Sequence, residues 1–289
     1  MQDTLSPAQV EADVRRALEE DVGSGDLTAS LVPAERQVTA TIICREAAVV
    51  CGQPWVDEVL RQVAPGARAN WLVRDGGRTT PGAKVVEITG SARELLTAER
   101  VCLNFLQTLS AVATKTAAYV DVVRGTRAAI LDTRKTIPGL RIAEKYAVRC
   151  GGGKNHRMGL YDAILIKENH IAAAGGLTPA FRAAQALAAT RPVEFIQVEV
   201  ETLAQLREAL DAGVTMVLLD NMDIATIREA VKMAGAGCSL EISGGVTFDQ
   251  LREYAETGVD RISVGGLIKD IQAVDFSMRF SDKPVERSA

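Results

Sequence analysis

The stretch FIQVEVETLAQLREALDAGVTMVLLDN, Phe195–Asn221, contains the unit from which the fold of this chain can be predicted. It begins with an apolar run, FIQVEVE, that is typical of a buried strand. The helical pattern LAQLREALDAG follows and ends at Gly213, as helices commonly end at glycine. A second apolar run, MVLLDN, completes the unit. Strand, helix and strand in this order predict two parallel strands joined by an outer helix.

Similar apolar runs recur throughout the chain after Gly125, and each ends in a polar or charged residue. They read AAILDTRK, DAILIKENH, FIQVEVE, MVLLDN, CSLEISGG and RISVGG, and the later ones start roughly every 21–23 residues. The runs are apolar nearly throughout, so both faces of the sheet are expected to be buried. This pattern predicts an α/β barrel, in which active sites form at the carboxyl ends of the strands.

The first third of the chain mixes element types and predicts a smaller α/β domain before the barrel. Helical spacing predicts helices over Ala8–Glu20 and from about Ala92 to Val123. Runs bounded by glycine predict strands over Ala40–Gly52 and Ala83–Gly90. A loop rich in Gly, Ser and Asp, Asp21–Ser30, is expected between the first helix and the first strand.

Composition and charge narrow the class of partner. The net charge is −4, so nucleic acid and anionic membranes are not expected as partners. Five scattered cysteines without a Cys-x-x-Cys pair argue against a disulfide framework and a zinc ribbon. The polar N-terminus does not resemble a signal peptide, and no run of about 18 apolar residues is present. A cytoplasmic location is therefore expected.

Basic side chains gather around two of the predicted strand ends. Between Arg134 and Arg157 seven Lys or Arg residues accompany one acid, and Lys167 ends the next strand. Arginine offers a planar fork for carboxylate or phosphate, and lysine adds a point charge. Because a barrel brings strand ends together, the group is expected to bind a dianion, although any single member could simply be solvated. A strand-end lysine can also form a Schiff base, so a class I aldolase-like reaction is an alternative for Lys167.

Acidic side chains follow the later strands. Glu199 and Glu201 lie two residues apart, Asp220 ends MVLLD, and Glu241 lies in SLEIS. Carboxylates at strand ends suit Mg²⁺, which prefers oxygen ligands and is often shared with substrate phosphates. The alternative for each acid is an ion pair with the basic group.

Glycine pairs close the last two strands, in Ser243-Gly244-Gly245 and in Ser263-Val264-Gly265-Gly266. Glycine allows backbone N–H groups to approach an anion closely, and barrels frequently bind phosphate after strands seven and eight. The segment Gly151–Lys154 lacks the spacing and the Ser or Thr of a P-loop. The residues together predict a site for a dianion, Mg²⁺ and a phosphorylated sugar.

One long segment, LDTRKTIPGLRIAEKYAVRCGGGKNHRMGLYDAILIKENHI (Leu131–Ile171), resembles the signature region of the quinolinate phosphoribosyltransferases, the decarboxylating nicotinate-nucleotide pyrophosphorylases. Shorter matching segments extend the resemblance over nearly the whole chain. They are EEDVGSGDLT, TAERVCLNFLQTLSAVAT, VEVET, LLDNM, LEISGG and ISVGGL. Ala111 is one departure, at a position where the family's pattern has glycine.

The resemblance implies a fold, a reaction and an assembly. The fold would be an open α/β sandwich domain over residues 1–114, rejoined by about 274–289, and an incomplete, roughly seven-stranded α/β barrel over 115–273. The reaction would join quinolinate to phosphoribosyl pyrophosphate with Mg²⁺, giving nicotinate mononucleotide, pyrophosphate and CO₂ in de novo NAD biosynthesis. A homodimer would share each active site between its subunits.

Site residues can be carried over from the family's motifs. The resemblance assigns the quinolinate carboxylates to basic side chains, with Arg100 contributed by the neighbouring chain. These are Arg100, Arg134, Lys135, His156, Arg157 and Lys167. It places Glu199 and Asp220 at the Mg²⁺–pyrophosphate end, and Ser243, Gly244 and Gly265 at the 5′-phosphate. The implied catalytic set is Lys135, Lys167, Glu199 and Asp220, with Gly151–Gly153 shaping the mouth of the clamp.

Three other functions fit the same pattern. A molybdenum-locus family shares much of the fold and lacks a firmly established reaction. Nicotinate phosphoribosyltransferases act on a monoacid, but the doubled basic clamp favours a diacid. A non-catalytic phosphosugar-binding protein is the third, although it would not require the paired acids Glu199 and Asp220.

Overall fold

The computed structural model describes residues 5–281, and within that range the chain forms α-helices and β-strands in a mixed α/β arrangement. The helices are α1 Pro7–Asp21, α2 Gln53–Val63, α3 Ala92–Val123, α4 Arg141–Cys150, α5 Glu168–Ala173, α6 Leu177–Ala188, α7 Leu203–Asp211, α8 Ile224–Ala234, α9 Leu251–Ala255 and α10 Gly266–Lys269. The strands are β1 Gln37–Cys44, β2 Ala48–Val49, β3 Arg68–Trp71, β4 Arg78–Thr79, β5 Lys84–Ser91, β6 Ala129–Leu131, β7 Ile164–Ile166, β8 Ile196–Val200, β9 Met216–Asp220, β10 Ser239–Ser243, β11 Arg261–Ser263 and β12 Phe276–Ser281.

Two compact units can be distinguished by their internal contacts. The first unit comprises the chain up to Ala117, the segment Ile137–Gly152, and the chain from Ile268 onward. The second unit comprises Ala118–Thr136 and Gly153–Leu267. The sequence-based domain boundaries, 1–114 with 274–289 and 115–273, stay a prediction, and residues 282–289 of the predicted return segment lie outside the described range.

The first unit contains an antiparallel sheet with the strand order β12-β1-β5-β3. Strand β1 lies between β5 and β12, and its alternate residues Val38, Ala40 and Ile42 are buried. Alternate residues of a strand point to the same face, so β1 contributes one side to the core of this unit. The register of β1 with β5 shifts between Ile42 and Ile43, which marks a local irregularity.

Most of the elements expected in the first third are confirmed. Helix α1 covers the predicted Ala8–Glu20, and α3 has the predicted bounds. The single strand expected over Ala40–Gly52 was wrong, because the chain forms β1 and the short β2 instead. The pairing of β1 with β12 ends at Cys44, after which β2 pairs with β4 in a separate two-stranded sheet. A change of sheet partners therefore divides a continuous apolar run.

The second unit contains a parallel sheet of six strands in the order β6-β11-β10-β9-β8-β7. An isolated parallel bridge between Leu131 and Lys154 places a seventh segment of the chain, at Lys154, beside β6. Within the described range β7 pairs with β8 alone, so the ring of strands is not closed between β7 and Lys154. This arrangement confirms an incomplete α/β barrel of about seven strands.

Local sequence signals explain where the outer helices of the second unit begin and end. Thr202 caps α7 by accepting a hydrogen bond from the N–H of Gln205 at 3.2 Å, and Gln205 completes a capping box. Asp223 caps α8 in the same way through the N–H of Thr226 at 2.7 Å. Gly213 adopts a positive φ of 87° after α7, a conformation that glycine reaches without strain. These turns return the chain to the sheet after each strand.

The parallel sheet is buried mainly at its centre. Central residues of the strands, such as Val198, Val217 and Ile262, are fully buried, as expected when both faces of a sheet are covered. Among residues 5–281 there is no helix of the length and apolar character needed to cross a membrane.

Candidate active site

Polar side chains of the second unit meet at the carboxyl ends of its parallel strands. They surround a cavity of about 440 Å³. The lining residues are Thr133, Arg134, Lys135, His156, Arg157, Leu165, Lys167, Glu199, Leu218, Asp220, Asn221, Glu241, Ser243, Gly244 and Ser263. Nine of the residues assigned to the site from sequence are among them: Arg134, Lys135, His156, Arg157, Lys167, Glu199, Asp220, Ser243 and Gly244. The parallel strands bring them together because all their carboxyl ends lie at one edge of the sheet.

Two segments of the basic group are joined by a buried carboxylate. Asp132 follows β6 and is fully buried. Its carboxylate accepts hydrogen bonds from the N–H of His156, at 2.8 Å, and from the side-chain amide of Asn155. Asp132 therefore holds the Asn155–Arg157 segment beside the residues Thr133–Lys135.

The basic side of the cavity concentrates positive charge. Arg134, Lys135, Arg157 and Lys167 all line it. Burial lowers the pKa of the Arg157 guanidinium, and the nearby charge of Arg134 lowers it further. A pKa depressed by desolvation and by a like charge indicates that the cations repel one another. An anion with two negative groups would relieve this repulsion.

The acidic side faces the basic side across neighbouring strands. Nζ of Lys167 lies 2.6 Å from Oε2 of Glu199, in an ion pair between the ends of β7 and β8. Burial raises the pKa of Glu199, the ion pair with Lys167 opposes this increase, and the carboxylate of Asp220 adds to it. The effect of Asp220 on the pKa of Glu199 indicates that the two carboxylates lie near each other, as a shared cation would require.

A buried polar network forms the floor of the cavity. Glu241, in β10, is fully buried. Its Oε2 accepts hydrogen bonds from Nε of Arg261 at 2.8 Å and from Nε2 of Gln197 at 3.1 Å. Its Oε1 accepts a hydrogen bond from the hydroxyl of Ser263. Glu241 is therefore held by three partners inside the barrel.

His156 lies between this floor and the cavity. Its Nδ1 accepts a hydrogen bond from the N–H of Arg157 at 2.7 Å. Its Nε2 lies 3.0 Å from Oε1 of Gln197 and 3.4 Å from Oε1 of Glu241. The contacts fit a neutral ring with its proton on Nε2, because Nδ1 serves as an acceptor. His156 thus links the buried network to the backbone of Arg157.

The glycines after the last strands allow neighbouring side chains to lie close to the backbone. Gly244 has a φ of 88°, and a Cβ at this position would overlap the side chain of Asn221. The N–H of Asn221 donates to the carbonyl of Ser243 at 3.2 Å, so the two strand ends are tied together. Gly265 packs against Lys135, where a Cβ would lie 3.0 Å from Cδ of the lysine.

Several residues singled out in the sequence do not line the cavity. Arg100 is exposed on α3, and Glu201 is exposed beyond the end of β8. His170 accepts a hydrogen bond at Nδ1 from the N–H of Lys167 at 3.0 Å, within the first turn of α5. Gly151 packs so closely on α3 that a Cβ would overlap the carbonyl of Ala113. In this structure Gly151 allows close helix packing within the first unit.

Gln197, Arg261 and Ser263, which donate hydrogen bonds to the buried carboxylate of Glu241, were not assigned to the site from the sequence. A signal for them exists, since each is polar within a short run predicted to be a strand with both faces buried. A polar residue in such a run needs an internal partner. The run alone does not say which residue that partner is.

Comparisons with known proteins agree over most of the chain. A family model described as quinolinate phosphoribosyl transferase, C-terminal domain, matches residues 112–279, and the model of the N-terminal domain matches residues 26–110. The chain is 43% identical over 272 residues to the nicotinate-nucleotide pyrophosphorylase (carboxylating) of Mycobacterium leprae, spanning 92% of this chain and 95% of that protein. It is 41% identical to the probable nicotinate-nucleotide pyrophosphorylase (carboxylating) of Bacillus subtilis, spanning 90% and 89%.

A solved structure also matches this chain over nearly its full length. The nicotinate-nucleotide pyrophosphorylase of Francisella tularensis is 42% identical to this chain and superposes with a TM-score of 0.90. The superposition covers 96% of this chain and 98% of that one.

Proposed function

The chain belongs to the quinolinate phosphoribosyl transferase family, and on that premise we propose that it is a pentosyltransferase acting on quinolinate and phosphoribosyl pyrophosphate. The products would be nicotinate mononucleotide, pyrophosphate and CO₂, as in de novo NAD biosynthesis. The observation that carries the proposal is the cavity of the second unit, where four basic side chains face two carboxylates.

A dicarboxylate suits the basic side of this cavity. Arg134 and Arg157 offer planar donor pairs, and Lys135 and Lys167 add positive charge. The depressed pKa of the Arg157 guanidinium supports an anionic ligand, because such a ligand would compensate the repulsion from Arg134. A monoacid would neutralise fewer of these charges. We therefore infer that the four side chains select and orient quinolinate through both of its carboxylates.

The donor set on the opposite side fits a hard divalent cation. Glu199 and Asp220 both line the cavity and interact electrostatically. Mg²⁺ binds through one or two carboxylates and shares substrate phosphates, so these two residues would hold it beside the pyrophosphate. When bound, the ion would stabilise the negative charge that develops on the leaving pyrophosphate.

The glycine-containing strand ends fit the 5′-phosphate of the sugar. The backbone at Gly244 turns at a positive φ and lines the cavity. The hydroxyl of Ser243 and the backbone at Gly265 would complete the phosphate contacts. Backbone N–H groups in such turns form concave sites for anions.

The chemistry would depend on alignment more than on proton transfer. The ring nitrogen of quinolinate already carries a lone pair, so its attack on C1′ of the ribose needs positioning opposite the leaving pyrophosphate. Lys135 and Lys167 would hold the acid in line while Glu199 and Asp220 hold the other end. Once the nitrogen carries the ribose, the ring is cationic and can stabilise the carbanion that remains when CO₂ leaves C2.

We also infer that the active unit is a homodimer. Arg100 is exposed on α3, and the family's motif assigns it to the site of a neighbouring copy. Size measurement in solution tests whether the protein is a dimer. Mixing an Arg100→Ala chain with a chain inactive through Arg134→Ala tests whether the two subunits share each site. Activity restored by mixing supports a shared site, and its absence in a mixed dimer contradicts it.

The proposal as a whole is tested by a coupled assay of purified protein with quinolinate, phosphoribosyl pyrophosphate and Mg²⁺. Labelled CO₂ and nicotinate mononucleotide are measured together, and nicotinate replaces quinolinate in a parallel reaction. We expect equal amounts of both products from quinolinate and little product from nicotinate. No product from either acid, with folded protein, would contradict the proposal.

A further inference from the structure

A second cluster of reactive side chains lies in the first unit and has no role in the proposed reaction. It consists of Cys51, Cys150 and Asp75. The two Sγ atoms and a carboxylate oxygen of Asp75 all lie within 4.8 Å of one another.

The Cys51 side of this thiol pair is held rigidly. The N–H of Cys51 donates to Oγ of Ser110 at 2.9 Å, and the hydroxyl of Ser110 donates back to the carbonyl of Cys51 at 3.2 Å. The next two residues, Gly52 and Gln53, both donate their N–H groups to Asp75 at 3.0 Å, where α2 begins. The backbone at Cys51 therefore cannot move away from the pair without breaking four hydrogen bonds.

The Cys150 side is held by the same carboxylate. Cys150 is the last residue of α4, and Tyr146 lies one turn earlier in this helix. The hydroxyl of Tyr146 donates to Oδ2 of Asp75 at 2.8 Å. Asp75 thus connects the beginning of α2 to the end of α4 and keeps the two thiols opposite each other.

The two cysteines differ in exposure and acidity. Cys51 is fully buried, and burial raises the pKa of its thiol. Cys150 is partly exposed, and the hydrogen bond from Cys51 lowers the pKa of its thiol. Oxidants react first with an accessible thiolate, and a neighbouring thiol then resolves the product. This asymmetry assigns Cys150 to the first role and Cys51 to the second.

The other cysteines of the chain lack this combination. Cys44, Cys102 and Cys238 are all buried. Burial raises the pKa of Cys102 and raises that of Cys238 to about 11. They therefore serve as internal controls for reactivity.

We propose that Cys51 and Cys150 form a reversible disulfide when the protein encounters a peroxide. In the first step the Cys150 thiolate attacks one peroxide oxygen, the O–O bond breaks, and protonation releases water and leaves a sulfenic acid. In the second step the sulfur of Cys51 attacks the sulfur of Cys150, the S–O bond breaks, and a second water leaves. Two thiols and one hydrogen peroxide thus give one disulfide and two waters, and an external dithiol reverses the change.

The disulfide would covalently join the residue before α2 to the last residue of α4. The chain continues from Cys150 through three glycines to Lys154 and the Asn155–Arg157 segment. The modification site is therefore close in sequence to the basic group, although neither cysteine belongs to the proposed substrate site. The test of the disulfide does not depend on the proposed reaction.

The experiment treats the full-length protein with hydrogen peroxide, then denatures it, alkylates the remaining thiols and maps the peptides by mass spectrometry. We expect a linked pair of peptides containing Cys51 and Cys150. Their thiols should disappear at least about tenfold faster than that of Cys102, because only the accessible thiolate reacts directly. Dithiothreitol should restore both thiols.

Two variants separate the roles, and a third is the matched control. Cys51→Ser should stop at the sulfenic acid of Cys150, which a dimedone probe captures. Cys150→Ser should leave Cys51 as unreactive as Cys102, and Cys238→Ser should form the linkage at the unchanged rate. If Cys51 in the unsubstituted protein remains alkylatable after peroxide treatment, or links to another cysteine, the proposal is overturned.

Discussion

Lys167 and Glu199 form an ion pair of 2.6 Å between the carboxyl ends of two neighbouring strands, β7 and β8. The family resemblance assigned them to different ligands, Lys167 to a substrate carboxylate and Glu199 to a cation. In this structure each is the partner of the other. Binding of the substrate and of the cation would therefore exchange one ion pair for two new ones. The pairing also leaves the amine of Lys167 engaged by a carboxylate, which disfavours the aldolase alternative.

The substitution Glu199→Gln tests this exchange. It removes the proposed cation ligand and leaves Lys167 without its partner. The Mg²⁺ concentration for half-maximal activity should rise by about tenfold or more, equivalent to about 1.4 kcal/mol. Quinolinate binding measured calorimetrically without Mg²⁺ should not weaken. Glu201→Gln, two residues further on and exposed, is the matched control, and an unchanged Mg²⁺ requirement in Glu199→Gln would contradict the assignment.

The substitution Arg134→Ala tests the carboxylate clamp. A bound carboxylate that loses a charged partner in this cavity should cost about 3 kcal/mol, or a factor of more than about 100 in kcat/KM. Arg134→Lys should recover part of the loss, since it restores the charge without the planar fork. Arg228→Ala, in an ion pair at the surface of α8, should have no effect. Steady-state kinetics with quinolinate as the varied substrate measures all three, and full activity of Arg134→Ala would refute the clamp.

The two neighbouring glycines that follow β10 offer a test of the phosphate site. Gly244→Ala would force a Cβ into the side chain of Asn221 at a positive φ, so the strand end must shift. Gly245 also has a positive φ, but a Cβ there meets nothing within 4 Å. We expect Gly244→Ala to weaken binding of phosphoribosyl pyrophosphate by about tenfold or more and Gly245→Ala to have a smaller effect, because only the first adds a collision to the backbone strain. Equal losses measured by calorimetry would argue against a specific role for Gly244.

The protonation of His156 can be observed directly because the chain has only two histidines. Nitrogen NMR of ¹⁵N-histidine-labelled protein should show His156 with an unprotonated Nδ1 and a protonated Nε2, the state that fits its contacts with Arg157 and Gln197. The variant His170→Asn assigns the signals. The pattern should persist when quinolinate is added if His156 acts by positioning Arg157. Transfer of the proton to Nδ1 on binding would instead indicate a direct hydrogen bond to the substrate.

Glu144 predicts a specific dependence of stability on pH. It is fully buried in α4, where Oε2 accepts a hydrogen bond from the N–H of Ile137 at 3.0 Å and Oε1 has no hydrogen-bond partner within the described range. Burial raises the pKa of Glu144 from 4.5 to about 7. A folded-state pKa above the unfolded value contributes stability that is fully present below about pH 4.5 and is lost as the pH rises through about 7.

The measurement is urea unfolding at several pH values between 5 and 8. A shift of this size corresponds to about 3 kcal/mol, so the free energy of unfolding should fall by up to that amount across the range. In Glu144→Gln this component should be missing, and the variant should be the more stable protein at pH 8. Glu229→Gln, exposed on α8, is the control. Parallel pH profiles for Glu144→Gln and the unsubstituted protein would contradict the prediction.

Much of the fold could be predicted because it depends on local signals. Helix α3 has the bounds that its apolar spacing indicates, and α7 ends where Gly213 follows it. The division of Ala40–Gly52 into β1 and β2 could not be predicted. It depends on where the partner strand β12, far away in the chain, begins its pairing with Cys44.

The candidate site, like the fold, could be predicted only in part. Residues at strand ends could be assigned to one cavity, because parallel strands in a barrel leave their carboxyl ends at one edge. The direction in which each side chain points could not be predicted from the sequence. Glu199 and Glu241 both lie in apolar runs with similar surroundings, yet one faces Lys167 at the mouth and the other is enclosed by Arg261, Ser263 and Gln197.

The sequence by itself determined the alternation of strands and helices in the second unit, the glycines that follow its helices, and the charged residues at its strand ends, because each depends on residues a few positions apart. Only the tertiary structure decided that Lys167 pairs with Glu199, that His156 is held between Gln197 and the backbone of Arg157, and that Cys51 meets Cys150. These contacts join residues distant in the chain. Their geometry depends on how sheets and helices pack around a shared core, and spacing along the chain carries no record of it.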